Sequence, residues 1–331
     1  MPIISLSTGQ KFESGSGSSI LEAATKAHIA LPYSCKSGRC SACKCRVISG
    51  TTEIMHPETG LSEEEKSEGW VLSCVRKAQT DLVLEVDDLG GIELPAVRTV
   101  PCRISQITRL APDVVQVFLR LPPRAEFRFI PGQYVDVIGP AGIRRSYSLA
   151  NASFADKLLE LHIRAVHGGA MSDYWFSQAK VNDLLRLNGP LGTFFVRQTA
   201  TVDLYFLATG TGIAPVKAIL ESLGNLGAQN KPKSVTLLWG GRLSGDFYLD
   251  VNAIPGQYTY VQVQSRPDEA WTGAKGYVQE VLFDMAPDMG NAAVYACGSN
   301  AMIQSAKQRL LGMGLPANRF YSDAFVPSGV N

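Results

Sequence analysis

Four cysteines set the first chemical constraint. Cys35, Cys40 and Cys43 follow the spacing C-x4-C-x2-C, and Cys74 lies far downstream. That is the plant-type spacing for a [2Fe–2S] centre, in which thiolates stabilise ferric ions. A tight loop can aim backbone amides at the sulfurs, and Gly38 suits the close backbone approach such a loop needs. Zinc sites usually come as two short-spaced pairs, whereas the fourth thiol here stands singly, which favours the iron–sulfur reading over zinc. Cys45 falls outside the spacing and reads as a small buried hydrophobe. Cys102 and Cys297 stand alone. Lys36, Arg39, Lys44 and Arg46 crowd the loop. Their plain reading is solvated charge, and their sharper one a basic rim facing an acidic partner.

Two further constellations suit nucleotide chemistry. Arg145-Ser146-Tyr147-Ser148 ends a strand-like run. Arginine can clamp a pyrophosphate bidentately, tyrosine can lie on an isoalloxazine ring, and a serine can reach its N5 edge. Downstream, Gly168-Gly169-Ala170-Met171-Ser172 leads into a helix, where free N–H groups make an anion seat. Alone, those glycines would read as an ordinary turn; in this order the two strings point to a flavin. Gly210-Thr211-Gly212-Ile213-Ala214-Pro215 directly follows the apolar run VDLYFLAT. Strand, glycine turn and helix are the context for a dinucleotide pyrophosphate. Pro215 stands where the standard fingerprint has its third glycine, a substitution the first helical turn accommodates. Cys297-Gly298 ends the run AAVYAC, and ligands of parallel sheets sit at such carboxyl ends. A buried inert thiol is the commoner fate of a cysteine there, and Phe325 reads from the residues alone as core.

The elements that must position these residues fall into three segments. Residues 1–92 read as a small α+β unit with capping boxes at Ser19-Ile20-Leu21-Glu22 and Ser62-Glu63-Glu64-Glu65. Asp87-Asp88-Leu89-Gly90-Gly91 and Pro95 then break all periodicity, as a linker does. From 98 to 197, short β runs recur between turn signals such as Pro122-Pro123, Pro131-Gly132 and Gly139-Pro140, the pattern of an antiparallel barrel. From 200 to 331, strands alternate with helices, one predicted from Pro215 to Gly224, as in a doubly wound parallel sheet. The chain is therefore multidomain, α+β and α/β.

Composition narrows the function classes. In 331 residues, 31 Lys and Arg against 30 Asp and Glu leave a net charge of +1, so no global field draws the chain to nucleic acid or an anionic membrane. Segment 1–92 carries a net −3 and the remainder +4. No apolar run is long enough for a membrane span, and the opening MPIISLSTGQKFESG lacks the pattern of a signal peptide. The expected location is the cytoplasm, where a thiol cluster is metal-binding or catalytic sooner than cross-linked.

In order, these motifs resemble a known family: a plant-type ferredoxin domain fused ahead of a ferredoxin–NADP reductase-like module. Cys35/Cys40/Cys43/Cys74, Pro131-Gly132-Gln133-Tyr134, Arg145-Ser146-Tyr147-Ser148, Gly189-Pro190-Leu191-Gly192, Gly210-Thr211-Gly212 and Cys297-Gly298 carry the resemblance, which spans essentially the whole chain. It implies a β-grasp-like ferredoxin domain (1–92), an antiparallel β-barrel flavin domain (98–197) and a doubly wound nucleotide domain (200–331). It also implies FAD on Arg145, Ser146, Tyr147, Ser148, Gly169, Met171 and Ser172, NAD(P)H on Gly210, Thr211, Gly212 and Cys297, and Phe325 over the flavin. Ser148, Cys297 and Phe325 would then serve the hydride step. The strings Gly189-Pro190-Leu191-Gly192-Thr193-Phe194-Phe195, Leu238-Trp239-Gly240-Gly241-Arg242 and Tyr295-Ala296-Cys297-Gly298-Ser299 are most similar to those of CDP-6-deoxy-Δ3,4-glucoseen reductases. Those enzymes use NADH and feed a pyridoxamine-phosphate-dependent sugar dehydratase in 3,6-dideoxyhexose synthesis. Reductases of aromatic-ring dioxygenases and multicomponent monooxygenases share the domain order. Arg242 and Ser265-Arg266 keep NADPH open, whereas Asp246 facing the ribose would favour NADH.

Overall fold

A computed structural model describes residues 1–87, 89, 92–152, 156–197 and 199–325. Asp88, Gly90 and Gly91 of the linker string lie outside the described residues. Two compact units emerge, one of residues 1–94 with the segment from Asp323, the other Pro95–Ser322.

In the first unit, β1 (Ile3–Leu6), β2 (Lys11–Glu13), α1 (Ile20–Lys26), β3 (Lys44–Ser49), β4 (Thr52–Ile54), α2 (Glu63–Ser67), β5 (Trp70–Leu72), β6 (Arg76–Ala78) and β7 (Leu82–Glu85) follow in order. The main sheet runs β2-β1-β7-β3-β5. β1 lies parallel to β7, while its hairpin partner β2 is antiparallel to it. Both capping boxes form as the sequence predicts: Ser19 and Ser62 each accept an N3 amide while Glu22 and Glu65 reach back. Each box satisfies amides that a helix start leaves orphaned. Helix α1 buries Ile20, Leu21, Ala23 and Ala24 against the unit's core.

In the second unit, β8 (Arg98–Ala111), β9 (Val114–Arg120), β10 (Tyr134–Ile138), β11 (Arg144–Ser148), β12 (Leu158–Arg164), the short α3 (Ala170–Asp173) and β13 (Leu184–Leu191) come first. The strands pair antiparallel in the order β11-β10-β13-β8-β9-β12. A bridge between Leu149 and Leu161 joins the two edges, so the sheet closes into a barrel around Trp175, Leu187 and Val117. Then follow β14 (Asp203–Thr209), α4 (Ile213–Gly224), β15 (Ser234–Gly241), β16 (Thr259–Gln264), β17 (Ala274–Lys275), α5 (Val278–Asp284), β18 (Ala292–Gly298), α6 (Asn300–Gly312) and β19 (Phe320–Ala324). The order β17-β16-β15-β14-β18-β19 places β14 between its neighbours β15 and β18, both parallel to it. The strand order reverses at β14 and β18, the switch point where such sheets bind ligands. Helix α4 starts at Ile213, two residues earlier than the sequence predicts, so Pro215 sits in its first turn.

Candidate functional site

The cysteine loop connects α1 to β3 and is held by a second loop before α2. Gly38 adopts φ +72°, and a Cβ there would stand 2.3 Å from the carbonyl oxygen of Pro57. A Cβ on Gly60 would stand 2.6 Å from the carbonyl oxygen of Cys40, and the Gly60 amide donates to Gly38 at 2.9 Å. Only glycine permits this interlock. It brings the four spaced thiols together in two pairs: Cys43 and Cys74 with sulfurs 3.2 Å apart, and Cys35 hydrogen-bonded to Cys40. Cys40 and Cys43 are buried, Cys35 and Cys74 half-buried. The Ser37 amide points at the Cys35 sulfur at 3.4 Å. The hydrogen bond from Cys40 draws the Cys35 thiol down to about 5, with burial opposing and Ser37 assisting. Its partner Cys40 is pushed up, as is Cys43 beside Cys74. The hydrogen bond with Cys43 lowers the Cys74 thiol in the same way, with burial opposing and the Gly38 backbone assisting. Two sulfur pairs fit a binuclear group better than a single tetrahedral ion does, because each of two irons takes two thiolates. Cys45 lies in the core, where burial raises its thiol to about 12.

The basic rim is partly spoken for. Lys44 binds Glu65 at 2.6 Å and lies over Trp70, Arg46 donates to the Glu68 carbonyl, and Lys36 lies over Tyr33. Glu58 carries no motif that marks it in the sequence. Its carboxylate, 1% exposed, accepts the Leu72 amide at 2.7 Å and a two-pronged bond from Arg76 at 3.0 and 2.6 Å. This pair ties the covering loop to the strand just past Cys74.

On the barrel, β10 and β11 pair Tyr134 with Ser148 and Val137 with Arg145. Strand alternation puts Arg145 and Tyr147 on one face. The Tyr147 hydroxyl accepts from Trp175 Nε1 at 3.0 Å, and burial raises its phenol to about 12. The ring is therefore fixed and neutral. Arg145 gives one Nη1 bond to the Arg144 carbonyl. A fixed aromatic face beside a guanidinium fork fits a flavin and its phosphates. Gln133 explains the Pro131-Gly132-Gln133-Tyr134 string: its buried amide accepts from Ile130 N and donates to the Gly192 carbonyl, linking two of the quoted motifs. Ser172 Oγ accepts the Val166 amide, and Gly169 caps α3. The Met171 side chain lies in the barrel core, so its backbone alone can serve a ligand. Phe325 is 39% exposed, which overturns the core reading that its residue type suggests.

At the switch point the packing is close. A Cβ on Gly212 would stand 2.2 Å from the Cys297 carbonyl oxygen, and one on Gly298 2.0 Å from Thr209 Oγ1. The glycine turn and the end of β18 therefore share one floor, and the Cys297 thiol is fully buried beneath it. Trp239 Nε1 donates to the Gly210 carbonyl at 3.0 Å. Arg164, at the end of β12, stands with Nη1 3.1 Å from the Cβ position of Gly210. Its Nε and Nη2 lie within ion-pair range of Asp113 and Asp246, at 3.3 and 3.9 Å, without a hydrogen bond. A guanidinium with Nη1 beside a glycine turn suits an anionic dinucleotide. Asp246 accepts the Arg242 amide and guanidinium, so this pair is satisfied internally.

A glycine turn at a sheet switch point in one unit and sulfur pairs in the other are the parts of a pyridine-nucleotide-dependent electron-transfer oxidoreductase. Residues 3–79 match the 2Fe-2S iron-sulfur cluster binding domain, 101–196 the oxidoreductase FAD-binding domain and 206–308 the oxidoreductase NAD-binding domain. The chain is 41% identical to a CDP-6-deoxy-L-threo-D-glycero-4-hexulose-3-dehydrase reductase of Yersinia pestis, over 97% of both chains. It is 31% identical, over 95% of each chain, to the ferredoxin–NAD(P)(+) reductase component of the naphthalene 1,2-dioxygenase/salicylate 5-hydroxylase systems of a Ralstonia species. The crystal structure of an Amycolatopsis cytochrome P450 reductase is similar at a TM-score of 0.76 and 27% identity, covering 99% of this chain and 100% of that one. The chain belongs to the family of iron–sulfur flavoprotein reductases that join a ferredoxin-type domain to FAD- and NAD-binding domains. Among the described residues no helix is long and apolar enough to cross a membrane.

Proposed function

We propose that this reductase takes reducing equivalents from NADH in preference to NADPH and delivers them singly to a separate enzyme, a pyridoxamine-phosphate-dependent CDP-sugar 3-dehydratase. When bound, FAD supplies two-electron acceptance with one-electron release, and the [2Fe–2S] cluster one-electron carriage. In this reading Cys35 and Cys40 hold one iron, and Cys43 and Cys74 the other. Arg145 and the amides of Gly169, Met171 and Ser172 hold the flavin phosphates, Tyr147 supports its ring, and Ser146 and Ser148 flank it. Gly210, Thr211 and Gly212 seat the dinucleotide with Arg164 over its phosphates, and Cys297 floors the nicotinamide site. Phe325 completes the set assigned to the hydride step. The boundaries 1–92, 98–197 and 200–331 delimit the three parts, and the cytoplasm is the proposed location because the thiolates must stay reduced.

The observation that supports the partner is the 41% identity to the Yersinia reductase along nearly the whole chain. The Ralstonia likeness supports the second reading, an oxygenase partner. Reconstitution decides between them. NADH-driven turnover of a CDP-sugar dehydratase, with none from a ring-hydroxylating oxygenase, is expected; the reverse pattern refutes the sugar reading.

A further inference from the structure

A chain of buried charges crosses from the barrel to the nucleotide sheet. On β12, Glu160 has a side chain 6% exposed and His162 one fully buried. Glu160 Oε1 accepts from Gln116 Nε2 at 2.7 Å and meets His162 Nε2 at 2.8 Å. Glu160 Oε2 accepts from Lys217 Nζ, on α4, at 2.8 Å. The same ammonium donates to the Ala150 carbonyl at 2.9 Å and to Glu221 at 2.6 Å, so all three of its protons are placed. Glu221, one turn further along α4, accepts the Ala152 amide at 2.9 Å through its other oxygen. Lys217 and Glu221 therefore grip the backbone at Ala150 and Ala152, immediately after Ser148. Between them that backbone also pairs with β12, through the Ala150 amide on the Glu160 carbonyl and the Leu149 bridge to Leu161.

A second path runs beside the first. His162 Nδ1 lies 3.2 Å from the Tyr248 hydroxyl, Tyr248 packs edge-on against Trp239, and Trp239 donates to the Gly210 carbonyl. Both paths start on β12. One ends where the flavin strand exits, the other at the glycine turn that opens α4.

Buried ion pairs contribute little net stability against apolar packing of the same shape, but they fix register, because a shifted pair leaves charges uncompensated. Here the elements so fixed are those carrying the two reaction partners. We propose that Lys217, with Glu160 and Glu221, is a clamp of positioning residues that sets the distance between the nicotinamide seat at Gly210–Gly212 and the flavin site at Ser148. This rests on the hydride reading above. The clamp touches neither cofactor; it holds the backbone that does.

The test is the double substitution Glu160→Gln/Lys217→Met, which removes the two most buried charges together and leaves Glu221, its side chain 22% exposed, on the Ala152 amide. In the purified holoenzyme, the rate constant of anaerobic flavin reduction by NADH falls on the order of 10²-fold, as a displacement near 1 Å implies. The NADH dissociation constant moves less than about 3-fold, since the turn itself is intact. The long-wavelength charge-transfer absorbance of the NADH complex weakens in parallel, and Lys217→Arg restores it. Leu220→Ala, a core cut in the same helix, serves as the control: it lowers the melting temperature but keeps the charge-transfer band. Unchanged reduction with a full band in the double variant overturns the clamp, as does equal loss of the band in Leu220→Ala. If NADH fails to bleach the wild-type flavin, the functional reading falls instead. The clamp is then decided by hydrogen exchange of the Ala152 amide, which should quicken at least about tenfold in the variant; an unchanged rate overturns it.

Discussion

Gly212→Ala is the sharpest single perturbation of the nucleotide seat. The added Cβ would stand 2.2 Å from the Cys297 carbonyl oxygen and 2.7 Å from its carbon, against a floor of 3.0 Å for real contacts. Neither neighbour can rotate away, because Cys297 lies in the central strand β18, hydrogen-bonded to β14. The turn must therefore retreat by about 0.8 Å, and a displacement of that order at a reacting centre costs on the order of 10²-fold in rate. That corresponds to about 2.7 kcal/mol of barrier. Stopped-flow flavin reduction by NADH under anaerobic conditions reads the effect, with the flavin content of the purified protein as the check that the barrel is intact. A variant reduced within about 3-fold of wild type would refute the inference that the turn and the floor of β18 form one rigid seat.

Three other outcomes follow. Cys74→Ser should lose the visible bands of the cluster and electron delivery to an acceptor while NADH still reduces the flavin; full retained coupling would remove Cys74 as a ligand. Arg76→Met strands the Glu58 carboxylate, 1% exposed, and should destabilise the first unit by about 3–5 kcal/mol in urea unfolding, with Glu58→Gln/Arg76→Met recovering most of the loss. Glu160 titrates below its ordinary 4.5: burial pushes it up, but His162 and Lys217 outweigh that and hold it at about 2. A depressed carboxyl contributes stability above its unfolded value and loses it as pH falls through the folded one. The second unit should therefore weaken between about pH 4.5 and 2, by roughly 3 kcal/mol from this group, and Glu160→Gln should flatten the slope in that window; an identical profile would count against the pairing.

What was legible in the sequence is what is local along the chain. The cysteine spacing, both capping boxes and the strand–turn–helix around Gly210 each fit within a short window; both boxes form as read, and the helix after the glycine turn begins two residues earlier, at Ile213. Pro215 looked like a departure and proves compatible, because a first-turn residue needs no N–H donor. What was not legible is contact between distant segments. Glu58 reads as one more surface charge until the loop folds over Cys40. Glu160 and Lys217 lie 57 residues apart, and only the Lys217–Glu221 pair, at helical spacing, leaves a trace in the sequence. Phe325 shows the limit of residue type as a guide: an aromatic ring suggests core, and the fold leaves it exposed.

The central claim is that paired electrons enter from a pyridine dinucleotide and leave one at a time through sulfur-bound iron. Anaerobic titration of the purified holoprotein with NADH, followed by visible absorbance and electron paramagnetic resonance, tests it most directly. The flavin bands should bleach, and a reduced-cluster signal should grow to completion at about 1.5 equivalents of NADH, the three electrons that one flavin and one cluster hold. Bands that persist, with no paramagnetic signal at any ratio, would contradict the account.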